Sequence, residues 1–191
     1  MTHLRIWRSL LLALSAIGIG ACATDSPTGP KFQGQASPGL VSDPLGGLVS
    51  KSVLQRATPL ARDVTVSAVI GKDGGALSIP EAGFRLFVPA GAVSADTRFT
   101  VTALKGSLVA YEFGPHGISF GNALSARQDL SVTQWQPRLR PLVAGYFAEK
   151  SALDESSATA LLSELIDGSI NPLSKHFSFR IEHFSGYVVA W

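Results

Sequence analysis

From residue 63 onward the chain alternates apolar and polar side chains in short runs that glycine and proline repeatedly interrupt. Every second side chain of a strand points to the same face, so such a run has one apolar and one polar face. Many short strands between Gly/Pro turns predict an all-β fold, namely an antiparallel β-sandwich. The predicted strands cover residues 64–69, 77–79, 84–88, 98–104, 109–113, 130–134, 141–147 and 181–191.

One segment departs from this alternation. Residues 155–166 (ESSATALLSELI) are mostly helix-compatible, with Asp154 in a position to cap the first turn and Gly168 in a position to end the helix. This pattern predicts one short helix, or an irregular insertion, before the final hairpin.

The N-terminus has the organisation of a secretory signal peptide over residues 1–21. Arg5 and Arg8 form a basic region, and residues 10–19 form an apolar core that is too short to span a membrane as a helix. Cys22, which follows directly, is the only cysteine of the 191-residue chain, so an internal disulfide is excluded.

The residues around this cysteine, Ile19-Gly20-Ala21-Cys22, resemble the bacterial lipoprotein box. The resemblance implies cleavage before Cys22 and a thioether-linked lipid on its sulfur, which would attach the protein to a membrane. Ala23, rather than an aspartate, follows Cys22 and favours the outer membrane or the cell surface. We therefore expect a lipid-anchored protein of the bacterial cell envelope. The alternative is an ordinary signal peptide followed by an incidental cysteine.

The rest of the chain divides into two parts. Residues 22–62 contain many prolines and glycines and predict a flexible tether. Within it, residues 48–54 could form a helical turn or dock on the domain. Residues 63–191 form the predicted β-sandwich.

Composition and spacing exclude several function classes. The net charge is only +2 and the basic residues form no run, so we expect no nucleic-acid partner. The four histidines do not have metal-ligand spacing, and one cysteine cannot build a thiolate site. We expect neither a metal nor a cofactor.

Three stretches carry a family resemblance: residues 74–77 (GGAL), 86–93 (LFVPAGAV) and 113–120 (FGPHGISF). They resemble the ZU5 domain family, and the resemblance extends over about residues 64–132. The family is associated with protein contacts, so the resemblance implies a β-sandwich that acts as a protein-interaction or structural module, with an unidentified envelope or extracellular protein as partner.

The same resemblance draws attention to His183, Phe184 and Ser185. Self-cleaving, PIDD-type members of the family cut between Phe and Ser of a His-Phe-Ser triplet near the end of the domain. The implied mechanism is a single-turnover N-to-O acyl shift: the Ser185 hydroxyl attacks the Phe184 carbonyl, His183 accepts the proton, and water hydrolyses the ester. Apart from this reaction, we expect no enzymatic activity.

Strand geometry sets a condition on that reaction. In a regular strand His183 and Ser185 share a face but stand about 6.5–7 Å apart, so catalysis needs a bend or bulge, which Gly186 would permit. The alternation of the preceding strand, continued without a break, places both side chains on the core side. It places Ser178, of the second triplet His176-Phe177-Ser178, on the polar side. The alternative is that His183 and Ser185 are ordinary hydrogen-bonded strand residues.

Two rival functions remain open. Residues 117–121 (GISFG) match the G-x-S-x-G pattern of a serine esterase with Ser119 as nucleophile, although that pattern requires a helix after the serine. Acidic and histidine partners follow in the right order: Asp129, Asp154, Asp167, His176 and His183. A glycan-binding sandwich is the other rival, with a stacking platform drawn from Trp135, Tyr146, Tyr187 and Trp191.

Overall fold

The computed structural model describes residues 47–137 and 141–191. The predicted signal peptide, Cys22 and most of the predicted tether lie outside the described residues. In the part of the chain that is described, no helix has the length and apolar character needed to cross a membrane.

The fold is all-β, as the sequence predicts, and its strands pair antiparallel throughout. Within residues 47–137 and 141–191, three short 3₁₀ turns interrupt the strands, at Pro80–Ala82, Leu130–Val132 and Lys150–Ala152. The strands are β1 (Val49–Ser52), β2 (Gln55–Leu60), β3 (Val64–Ile70), β4 (Gly75–Ile79), β5 (Phe84–Val88), β6 (Thr97–Ala103), β7 (Gly106–Leu108), β8 (Ala110–Gly114), β9 (Ser119–Asp129), β10 (Val143–Phe147), β11 (Leu153–Asp154), β12 (Thr159–Leu162), β13 (Glu164–Asn171), β14 (His176–His183) and β15 (Gly186–Ala190).

Ten of these strands form one sheet in the order β3-β6-β8-β15-β10-β13-β14-β9-β5-β4. Strand β13 joins its two halves, because residues 164–167 pair with β10 and residues 168–171 pair with β14. The sheet thus folds into the two layers of a sandwich, with β3 and β4 at its edges. A turn at Gly71–Gly74 connects the two edge strands, and Gly74 adopts a φ of 78° that glycine readily accepts.

The core lies between the two layers and is rich in aromatic side chains. Phe84 of β5 stacks on Tyr111 of β8, with ring centroids 4.1 Å apart, and also meets the edge of Phe113. Phe99 of β6 packs against Phe120 of β9. These contacts join strands that are distant in sequence, as the alternating pattern requires.

The folded part starts earlier than the predicted domain start at residue 63. Strand β1 pairs with β12, and Val53 and Leu54 are fully buried. The Leu54 N–H donates to the Val189 carbonyl at 2.8 Å. Residues 48–54, assigned to the tether with docking as one option, therefore dock as part of the sheet system because their apolar side chains cover the C-terminal strand.

Two element predictions are wrong. Residues 155–166 contain no helix: the alternation of Ala160 and Leu162 with exposed neighbours belongs to β12, which pairs on both sides. Residues 130–134 are not a strand, because the Asp129 carboxylate accepts the Ser131 N–H at 2.8 Å and caps a 3₁₀ turn.

Candidate functional site

The His-Phe-Ser triplet at residues 183–185 lies at a break between two strands. His183 is the last residue of β14, and β15 begins at Gly186, while the chain bends at Ser185. The pairing of β14 with β9 also shifts register between Ile181 and His183. The bend that the sequence analysis set as a condition for self-cleavage is therefore present.

Phe184 takes the core position of the triplet. Its side chain is buried, and its ring centroid lies 5.2, 5.6 and 4.8 Å from those of Phe99, Phe113 and Phe120. Edge and stacked contacts of this kind fix the ring, so the carbonyl that Ser185 would attack belongs to an anchored residue.

His183 does not lie on the core side, so that prediction is wrong. Its side chain is 44% exposed. The alternation of β14 breaks where its register against β9 shifts between Ile181 and His183, and the core position falls to Phe184. The ring meets Tyr146 edge to face, with centroids 5.3 Å apart. Its Nε2 atom lies 3.4 Å from Oε2 of Glu164, and its Nδ1 atom lies 3.4 Å from the Tyr187 hydroxyl.

Tyr187 positions the backbone of the triplet. Its hydroxyl donates a 2.8 Å hydrogen bond to the His183 carbonyl. Burial, and next the negative charge of Glu164, raise the pKa of this hydroxyl, so it remains a donor at neutral pH. On the other side of Phe184, the Ser185 carbonyl accepts the Phe113 N–H at 3.0 Å. The carbonyls of both residues that flank Phe184 are therefore held by hydrogen bonds.

Ser185 is buried, and the described residues show no hydrogen bond between its hydroxyl and the ring of His183. The structure therefore brings the three residues to one bend but points the histidine nitrogens at Glu164 and Tyr187. Gly186 is needed for space rather than for the bend: a Cβ there would stand 2.4 Å from the Phe147 ring.

Sequence reasoning missed both partners of His183. Glu164 is 19 residues away and reaches the histidine only because β13 lies beside β14 in the sheet. Tyr187 is close in sequence, but the sequence suggests it only as part of a glycan platform, whereas its side chain is fully buried. No local pattern marks either contact.

The second triplet, His176-Phe177-Ser178, lies inside the regular part of β14. Each of its residues pairs with a residue of β13 on one side and of β9 on the other. Phe177 is buried. A strand held by two neighbours without a break provides no bend for an acyl shift.

Ser119 does not lie in the strand–turn–helix geometry of a nucleophile elbow. It opens the 11-residue strand β9, and a strand follows where that motif requires a helix. Its cross-strand partner is His183. Of the predicted acidic partners, Asp129 accepts the Ser131 hydroxyl and Asp154 accepts those of Ser156 and Ser157.

The four aromatic residues considered for a glycan platform all contact the core. Tyr187 is fully buried, and Trp135, Tyr146 and Trp191 pack against the core as partly buried side chains. Within the described residues, no group of three or more His, Cys, Asp or Glu side chains is arranged to hold a metal ion.

Comparison with known families finds a match to part of the chain. Residues 66–108, which run from β3 to β7, match the family model described as ZU5 domain, so the predicted resemblance is confirmed there. The match ends before β8 and does not include residues 183–185. No curated protein matches the chain significantly.

Proposed function

We propose that the protein is a lipid-anchored lipoprotein of the bacterial cell envelope whose β-sandwich binds another envelope or extracellular protein. The observation that supports the binding role is the ZU5 match over residues 66–108. These residues contribute strands β3 to β7 of the sandwich. The lipid anchor is supported by the sequence around Cys22 and by the signal peptide that precedes it.

The anchor is tested by a Cys22→Ser substitution in the full-length chain, produced in a bacterial host that processes lipoproteins. We expect the parent protein to sediment with the outer membrane and the variant to leave the membrane fraction, because the thiol is the site of lipid attachment. Mass spectrometry of the mature N-terminal peptide provides the direct readout. An unmodified Cys22 in the parent would contradict the anchor.

The binding role is tested by cross-linking in intact cells. Lys51 and Lys72 lie on different parts of the domain and provide amines for a lysine-reactive reagent. We expect a cross-link to one recurring envelope or extracellular protein. Cross-links confined to the chain itself, across several reagents, would contradict an interaction module.

Self-cleavage between Phe184 and Ser185 is a second candidate, and the break between β14 and β15 is the observation that favours it. The Ser185 oxygen would bond to the Phe184 carbonyl carbon, the peptide C–N bond would break, and the Ser185 amine would be released. Water would then hydrolyse the ester. The His183 ring would have to leave Glu164 and Tyr187 and form a hydrogen bond with the Ser185 hydroxyl. Only then could it accept the proton of that hydroxyl.

Intact-mass measurement tests this reaction, and the chain offers a matched control. We expect the parent and Ser178→Ala, whose serine belongs to the unbroken triplet, to release a peptide of residues 185–191 under denaturing conditions. Ser185→Ala should remain whole. If all three proteins keep their full-length masses after long incubation, self-cleavage is excluded.

A further inference from the structure

Three arginines gather on the outer face of the layer formed by β4, β5, β9 and β14. Arg85 of β5 is the direct cross-strand partner of Arg127 of β9, and Arg180 of β14 is the partner of Ser125, two residues along β9 from Arg127. All three arginines are exposed, because their neighbours along each strand take the core positions. We call this set, together with Phe87, the arginine face.

Phe87 stabilises the cluster from within. The guanidinium carbons of Arg85 and Arg127 lie 4.5 and 5.3 Å from the centroid of its ring. A cation above an aromatic face is attracted by the ring, and a guanidinium stacked in this way keeps its outward-facing N–H groups available. The ring thus holds two of the arginines side by side.

Negative charge lies at one end of the arginine face, where Glu164, Asp167 and Glu182 line a pocket with Arg180. Like charges directly opposite each other, such as Arg85 and Arg127, destabilise a sheet. No ion pair within residues 47–137 and 141–191 involves any of the three arginines. Asp167 lines the same shallow groove as Arg180 but forms no ion pair with it. Serines surround the cluster, since Ser78 stands opposite Arg85 and Ser178 stands opposite Arg127.

We propose that the arginine face binds an extended, acidic segment of the protein partner. Guanidinium groups bind carboxylates through paired, charge-assisted hydrogen bonds. Arg127 and Arg180 are diagonal neighbours on adjacent strands, and the Cα atoms of such neighbours are typically about 7–8 Å apart. Carboxylates on alternate residues of an extended peptide stand about 6.5–7 Å apart, so such a segment meets both arginines at once.

This inference rests on the proposed binding role and specifies its chemistry. The charge complementarity selects a carboxylate-rich partner, and the spacing of the arginines selects an extended polypeptide over a single small anion. Phe87, half-buried between two of the arginines, provides an apolar contact between the acidic positions.

The test uses the full-length chain and a fluorescent peptide, Glu-Val-Glu-Val-Glu, with its all-Gln counterpart as the uncharged control. We expect the Glu peptide to bind in fluorescence anisotropy and the Gln peptide not to bind. The double variant R85Q/R127Q should bind about five- to tenfold more weakly, because two exposed charge pairs are lost. Arg98→Gln, on the outer face of β6, should change binding less than about twofold. Added salt should weaken binding.

Several outcomes would overturn the proposal. Equal binding by R85Q/R127Q and the parent would do so, as would no binding of the Glu peptide. Arginine-dependent binding to vesicles of anionic lipid or to a sulfated polysaccharide, stronger than to the Glu peptide, would assign the face to those ligands instead. If the partner found by cross-linking binds R85Q/R127Q unchanged, this inference fails while the proposed binding role stands. Matching thermal melts for both variants show that the fold is intact.

Discussion

At the scale of single residues, Arg56 is the most unusual feature of the core. It is a fully buried side chain whose guanidinium faces the backbone carbonyls of residues 104, 106, 108 and 110, at 3.2–3.3 Å for three of them. It also lies over the Tyr111 ring. The ladder between β2 and β7 is irregular, so Arg56 provides donors that the strand backbone does not.

We predict that Arg56→Met lowers the free energy of unfolding by about 2–3 kcal/mol, because several buried carbonyls lose their donors. The gain from removing a buried charge offsets part of this loss. Urea denaturation measures the change, and Arg98→Met, at an exposed position, should stay within about 0.5 kcal/mol of the parent. A destabilisation equal to that of the control would show that the carbonyls find other donors.

A second single residue, Tyr111, makes the stability of the domain depend on pH through its hydroxyl group. Burial raises the pKa of its hydroxyl to about 12, although the Arg56 charge opposes the shift. Because the folded state holds this proton more tightly than the unfolded chain, the protonated hydroxyl stabilises the fold. The contribution is complete below the ordinary pKa of 10.0 and is lost as the pH rises towards 12. We predict that Tyr111→Phe is less stable than the parent at neutral pH and that the difference shrinks between pH 10 and 12. Unfolding curves across this range would test it, and a constant difference would contradict it.

At the scale of the element, β13 is the strand that changes layers, and it does so at Gly168. A Cβ at this position would stand 2.2 Å from the Phe177 ring and 2.8 Å from the Ser178 carbonyl. Phe177 is fully buried and cannot move away without opening the core. The change of layer therefore depends on a residue without a side chain.

We predict that Gly168→Ala destabilises the domain by about 1–3 kcal/mol, as overpacking does. Ser169→Ala, at the next and exposed position, provides the matched control and should have little effect. Thermal unfolding of both variants distinguishes the two. An unperturbed melting temperature for Gly168→Ala would show that β13 has room to shift.

Element by element, the sequence predicts best where alternation is long and regular. The strands at 64–69, 84–88 and 98–104 lie within about one residue of β3, β5 and β6. The sequence predicts poorly where the secondary structure of a segment depends on a contact with residues distant in the chain. Helix-compatible residues become β12 because β1 pairs with them, and no local pattern reports this partner.

The same limit applies to the candidate site. The sequence identifies His183, Phe184 and Ser185 and predicts that a bend must accompany them. It cannot locate the register shift between Ile181 and His183, after which the histidine is partly exposed. Alternation predicts the face of a side chain only while the register of the strand holds, so here it assigns His183 the wrong environment.

At the scale of the whole molecule, the first and last strands complete the same cluster of the core. Val53 and Val188 belong to one buried group, and the Trp191 N–H donates to the Ser52 carbonyl at 3.1 Å. A bridge pairs Val53 with Ala190. The folded unit therefore needs residues that the sequence analysis assigned to the tether.

We predict that a chain starting at residue 63 will aggregate or unfold, whereas one starting at residue 47 will fold. The shorter chain loses the fully buried Val53, Leu54 and Arg56 and exposes the apolar strand β15. Size-exclusion chromatography and thermal melts compare the two chains. Equal solubility and stability would mean that β1 and β2 are dispensable.

The contact between the first strands and β15 has a mechanical consequence. Tension that enters the domain from the N-terminal side acts on β1 and on the backbone bonds of residues 52–54 to the C-terminal strand. A domain nicked at Ser185 would keep residues 185–191 in place at rest, between β8 and β10. Pulling on the chain upstream would load the same backbone bonds that hold this C-terminal peptide, so tension would speed its release from a nicked domain.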